Sequence, residues 1–282
     1  MKKNIIIAVL AAASALLLST SCAKEHLSDK DSARTEGQVF SGNIEQTLTR
    51  TVITPEFKVN WETGDQIDIN GAVYSAVPSD PATFATFQKI SGEEPEATFK
   101  AVFPASLNTA DGLAFPATQV YSPGKFNSPM YAESDNNLLS FNNICGVLCL
   151  SLNGADKVKS IAITANEALC GAFSMTDAST VNLTGTGKTV TLDCGEGIQL
   201  DPETATKFYI YLPPKTYSPG MKIAVQSTDN TFFRKTTTAN AEILRSNLYT
   251  FNWNAAFNPN ICIYYAGVSG TVDEKTGYGI AW

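Results

Sequence analysis

Trp61-Glu62-Thr63-Gly64-Asp65-Gln66-Ile67-Asp68-Ile69-Asn70-Gly71-Ala72-Val73-Tyr74-Ser75-Ala76 carries the clearest structural signal in the chain. Residues 62–65 form a polar turn and residues 67–69 a short apolar strand. Asn70-Gly71 then supplies two residues that tolerate the positive φ of a two-residue hairpin turn, and residues 72–76 return as a second strand. Upstream, Phe57, Val59 and Trp61 alternate strictly, and within residues 39–48 Phe40, Ile44 and Leu48 share one parity of a strand. Downstream, residues 84–87 and 97–103 continue a β meander. Pro104, Pro116, Pro123 and Pro129 punctuate residues 103–137, and each removes a ladder donor, so that stretch reads as loop-rich. A domain boundary is expected near Leu139. Beyond it, residues 146–152, 158–164, 171–175, 189–192, 207–212, 221–226, 231–237 and 248–253 read as strands, at the spacing a sandwich needs. Only residues 240–247 suit a short helix. The expected fold is all-β: two tandem antiparallel β-sandwich domains, 37–139 and 140–282. Within the second, the apolar residues 261–266 and 278–282, joined by polar 267–277, suggest a terminal hairpin over 254–282. An ordinary last pair of core strands is the alternative.

The chain opens with Lys2 and Lys3, an apolar run over residues 5–18 and the small residues Ser19-Thr20-Ser21, the layout of an export signal covering 1–21. The run is too short for a spanning helix. Cys22 directly after the cleavage site resembles the bacterial lipoprotein pattern, in which that thiol receives a lipid, although Ser19 stands where Leu is usual. Plain secretory cleavage is the other reading. Residues 22–36, with Lys24, Glu25, Asp29, Lys30 and Asp31, hold too few apolar side chains to pack and read as a tether.

Asp and Glu number 27 against 20 Lys and Arg, so nucleic acid is excluded as a partner for want of a basic surface. The single histidine, His26, lies in the tether, which removes Ser-His-Asp and Cys-His catalysis and two-histidine zinc sites. No catalytic residue, metal ligand or cofactor site is expected. Gln66-x-Asp68-x-Asn70-Gly71 has the look of a calcium loop but lacks its first carboxylate and carries Val77 at the twelfth position, so a turn is the better reading. Glu93, Glu94 and Glu96 around Pro95 read as solvated loop, and Gly185-Thr186-Gly187-Lys188 as a hairpin turn. Tyr121, Tyr131, Tyr217 and Trp282 are either packing residues or a platform for a sugar or a partner. With Cys22 assigned to lipid, Cys145, Cys149, Cys170, Cys194 and Cys262 remain, an odd number. Cys145 and Cys149 sit ~13 Å apart on one strand and cannot join, while Cys170 with Cys194 is a candidate disulfide.

In order, Trp61-Glu62-Thr63-Gly64-Asp65-Gln66-Ile67, Ala97-Thr98-Phe99, Val102-Phe103-Pro104, Phe115-Pro116-Ala117-Thr118-Gln119, Gly146-Val147-Leu148-Cys149-Leu150, residues 157–163, Phe208-Tyr209-Ile210-Tyr211-Leu212-Pro213 and Tyr249-Thr250-Phe251 follow a lipoprotein-like signal. The chain in this respect resembles the fimbrillin family, the lipoprotein-derived subunits of type V pili. The resemblance implies two transthyretin-like sandwiches and an outer-membrane lipoprotein precursor exported to the cell surface. It further implies processing by an arginine-specific protease that removes an N-terminal strand, and polymerisation as a neighbour's C-terminal strand fills the groove. On this sequence the implied processing site is Arg50-Thr51, and the implied donor strands carry Ile261, Ile263 and Tyr265 or Tyr278, Ile280 and Trp282. Partners would be other pilus subunits, the outer membrane through the precursor's lipid, and a host or bacterial surface ligand. The alternatives are an anchored surface lipoprotein that binds glycan or host protein as a monomer, and a pilus anchor or tip subunit.

Overall fold

Strands make up more than half of the chain that the computed structural model describes, residues 38–45, 59–124 and 126–259, and are joined by turns, bends, irregular segments and a 3-10 turn at Ala105–Leu107. These residues fall within one contact unit, 37–282. In chain order the strands are β1 (Phe40–Ile44), β2 (Gln66–Ile69), β3 (Ala72–Pro78), β4 (Phe84–Ser91), β5 (Phe99–Phe103), β6 (Asn108–Thr109), β7 (Gly112–Phe115) and β8 (Thr118–Val120). Next come β9 (Met130–Ser134), β10 (Leu138–Asn143), β11 (Gly146–Asn153), β12 (Lys157–Thr164), β13 (Gly171–Met175), β14 (Val181–Leu183) and β15 (Thr189–Gln199). The last are β16 (Thr206–Leu212), β17 (Lys215–Tyr217), β18 (Lys222–Ser227), β19 (Thr231–Thr236), β20 (Ala241–Ile243), β21 (Leu248–Asn254) and β22 (Asn258–Pro259).

The all-β architecture is as the sequence suggests. Seven strands form one closed sheet in the order β1-β10-β9-β5-β2-β3-β4, and β4 pairs back onto β1. Its interior is aromatic, with Phe40, Trp61, Tyr74, Phe87, Phe99, Phe103 and Phe141 packed around the aliphatic Ile67, Ile69 and Leu139. The turn Asn70-Gly71 joins β2 to β3 with φ of 50° and 92°, the left-handed pair its composition suggests. The second core lies among a three-stranded sheet β16-β11-β21, a six-stranded sheet β22-β19-β18-β12-β15-β8, and a shorter sheet β14-β13-β7-β6. β11 is buried along nearly its whole length, which explains its unbroken apolar run.

Pairing does not divide at 139/140. β10 runs through that point and belongs to the barrel, whereas β7 pairs with β13 and β8 with β15, in the sheets of the second core. The barrel strands β5 and β9 are apolar on both faces for the same reason: Ala101, Phe103, Met130 and Ala132 face the barrel interior while Val102 and Tyr131 join the second core. Gln119 fastens two sheets of the second core to each other. Buried on β8, its side-chain amide donates to the Tyr211 carbonyl at 2.9 Å and accepts from the Tyr211 N–H at 3.1 Å, acting as a strand partner for the open edge of β16.

Three local expectations change. Residues 103–137 hold strands rather than loop, because Pro104 and Pro129 stand just outside β5 and β9 and leave their ladders intact. Val59 and Trp61 alternate as expected but lie outside any strand. Residues 240–247 form no helix; β20 pairs with β17, and its period-two burial, with Ile243 inward and Glu242 outward, prevails over helix propensity.

Cys145, Cys149, Cys170 and Cys194 are free and buried, so the Cys170–Cys194 pairing is corrected. Cys170 sits beside the Thr189 carbonyl at the start of β15, and Cys194 lies five residues further along, about 16 Å by strand rise, well beyond disulfide reach. Burial, reinforced by the Asp193 carboxylate, pushes the Cys194 thiol from the ordinary 9.0 up to about 12. A folded value above the unfolded one gives stability that is complete below pH 9 and is lost as pH rises toward 12. These four thiols should therefore resist alkylation at about pH 8 in the native protein and react in denaturant, and thermal stability should decline above about pH 9. Rapid native labelling of any of the four, mapped by mass spectrometry, would contradict this.

Candidate functional site

The feature with the clearest capacity to act is the place of β1 in the barrel. It lies between β10, to which it runs parallel, and β4, to which it is antiparallel, so it alone joins the two ends of an otherwise open six-stranded sheet. Phe40 and Ile44 point into the core, fully buried. The Phe40 ring meets Tyr74 and Phe99 edge-on, with centroids 5.2 and 4.9 Å away. Between them Gly42 faces inward at a point where a Cβ would stand 2.8 Å from the Leu139 carbonyl oxygen, 3.1 Å from the Phe141 ring and 3.2 Å from the Phe87 ring. The slot accordingly takes an aromatic residue, a glycine and a branched aliphatic residue at alternate positions.

Both ends of the strand are fastened. At the start, Gln38 donates to the Asn137 side chain at 2.9 Å, Asn137 donates to the Val39 carbonyl at 3.1 Å, and the Ser41 N–H donates to the Asn137 carbonyl at 2.9 Å. At the finish, half-buried Glu45 receives the Arg245 guanidinium through two bonds, Nη1 to Oε2 at 2.5 Å and Nη2 to Oε1 at 3.0 Å. The Asn143 N–H and the Ser246 hydroxyl also donate to Glu45 Oε2, while Arg245 Nη1 reaches the Asn143 carbonyl. A planar fork on a carboxylate is a directional contact, and here it ties the closing strand of the barrel to the chain just before β21.

No family profile and no curated relative matches the chain. Among solved structures it is similar to a "putative cell adhesion protein" from Bacteroides ovatus, at 13% identity and a TM-score of 0.47, over 78% of this chain and 94% of that one. It is also similar to a "putative cell adhesion protein" from Bacteroides uniformis, at 16% identity and a TM-score of 0.41, over 77% of this chain and 92% of that one. A "fimbrial protein" from Bacteroides ovatus aligns at 11% identity and a TM-score of 0.32, over 69% of this chain and 44% of that one.

Cys22, Arg50, Thr51, Ile261, Ile263, Tyr265, Tyr278, Ile280 and Trp282 all lie outside the described residues, as do His26 and Cys262. The calcium-like segment is turn wiring: Asp68 accepts from the Gly71 N–H and from Asn108, and Asn70 bonds the backbone at Glu96, Thr98 and Lys100. Among the described residues, no three His, Cys, Asp or Glu side chains converge as a metal site would require. Tyr131 and Tyr217 are buried, the latter donating to the Pro213 carbonyl at 2.9 Å, and Tyr121 is half-buried against Phe208. These three form no platform. A different aromatic group, absent from the sequence reading, lies along β19 and β21: Trp253 packs between Phe233 and Phe251, and Phe251 is 38% exposed. Period-two alternation on β21 separates Phe251 and Trp253 from Leu248 and Thr250, a signal available in the sequence but indistinguishable there from core packing.

Proposed function

We propose that this chain is a structural or adhesive subunit of a type V fimbria, without a catalytic role, that polymerises by strand exchange once an arginine-specific protease has cut after Arg50. The supporting observation is that the only strand lying before Arg50 among the described residues, β1, is the one that closes the barrel. Release of residues 1–50 would remove the lipid on Cys22, the tether and β1 together. It would leave β4 and β10 with unpaired main-chain edges over a floor of Phe87, Phe99, Leu139 and Phe141. An exposed edge of that kind is an aggregation hazard unless another strand is supplied, and a C-terminal segment of the next subunit meets the need by β-augmentation.

Exposed Phe251 of β21, packed against partly buried Trp253, favours a second reading, an anchored surface lipoprotein or a tip subunit that grips a glycan or a host protein. Replacing Arg50 with Ala separates the two. The expected result is loss of high-mass polymers from the cell surface with the monomer still folded, and an N-terminus at lipidated Cys22 rather than Thr51 by mass spectrometry. Polymers in undiminished amount would sink the processing model.

A further inference from the structure

The packing around β1 restricts what can take its place, and one segment of the chain meets the strictest demand, glycine at the centre, with the same residue classes on either side. Phe40-Ser41-Gly42-Asn43-Ile44-Glu45 sets the pattern: apolar, serine, glycine, polar, branched aliphatic, acid. Val268-Ser269-Gly270-Thr271-Val272-Asp273 repeats it position by position. Ser-Gly also occurs at Ser91-Gly92, but Glu94 stands there in place of the aliphatic residue. The glycine is the stringent element, because any Cβ at position 42 runs into the Leu139 carbonyl oxygen at 2.8 Å and two aromatic rings. The other apolar segments fail on this point: a strand with Ile261, Ile263 and Tyr265 inward puts Ile263 there, and one with Tyr278, Ile280 and Trp282 inward puts Ile280 there.

We propose that residues 268–273 of a second copy are the strand that refills the β1 groove, in the orientation of β1, with Val268 in the place of Phe40, Gly270 in that of Gly42 and Asp273 facing Arg245. This rests on the strand-exchange reading above. The fit has a built-in order. Val268 is smaller than the Phe40 it replaces between Tyr74 and Phe99, and Asp273 is one methylene shorter than Glu45, so the resident strand packs better than the incoming one and holds the groove until it is cut away. Arg245, which loses Glu45 in the cut, regains a carboxylate.

The register gives a direct test. Asn43 lies opposite Ser140 on β10, so Thr271 of the incoming copy should take that position, within disulfide range. Full-length Ser140→Cys protein is mixed with full-length Thr271→Cys protein, treated with an arginine-specific protease and oxidised, and the linked peptides are identified by mass spectrometry. The expected result is a bridge between copies that joins the two introduced cysteines, one at position 140 and the other at position 271. Polymers in which the introduced cysteine on β10 links instead to native Cys262, or to a Gly279→Cys variant, would overturn the segment while leaving strand exchange intact. Absence of any polymer after cleavage would overturn both. In parallel, Gly270→Val should cut polymer yield about tenfold or more by overpacking the groove, whereas Gly267→Val should leave it unchanged; equal yields would sink the proposal.

Discussion

Gly42→Val is expected to destabilise the intact protein by about 3 kcal/mol, the upper part of the overpacking range, and so to lower its melting temperature by roughly 6–12 °C. The new side chain has no direction in which to relax: the Leu139 carbonyl is fixed by the sheet, and the Phe141 and Phe87 rings are themselves wedged against Trp61, with centroids 5.1 Å away in each case. Gly42→Ala should fall in the same direction with a smaller loss. Differential scanning calorimetry on both variants measures this, and a valine variant as stable as the parent would mean that the groove is wider than the packing indicates. Such a result would also remove the steric filter on which the choice of residues 268–273 depends.

The largest loss should come from Trp61→Ala, about 3–5 kcal/mol. Trp61 is 2% exposed and meets Phe87, Phe103 and Phe141 edge-to-face, so it occupies the centre of the aromatic core. Its indole N–H, however, has no hydrogen-bond partner, a penalty of about 1–3 kcal/mol already present in the native state. Trp61→Phe removes that orphan donor along with some packing and should therefore cost about half as much as Trp61→Ala, or less. Urea unfolding of the two variants decides the matter: equal losses would mean that the N–H is satisfied in solution.

How far the fold can be read in advance depends on whether a signal is local. The hairpin at Asn70-Gly71 is legible because turn type follows from two adjacent residues. β9 is not, since its place between β5 and β10 is set by partners distant in sequence and the neighbouring prolines disguise it. The helical reading of residues 240–247 fails for a related reason, as nothing near Ala241 announces its pairing with Tyr217. The site shows the same division. Inward Phe40 and Ile44 are evident from parity, but the demand for glycine at 42 arises from Leu139 and the rings of Phe87 and Phe141. Glu45 and Arg245 stand 200 residues apart, and no sequence pattern links them.

The seating of β1 also has a mechanical side. Its ladders to β4 and β10 run along both flanks, and the Glu45–Arg245 fork sits at the far end from Gln38. Traction applied at Gln38 along the strand axis loads these bonds side by side, in shear, instead of peeling them one after another. A strand held in this way resists pulling on its leading end with its whole ladder at once.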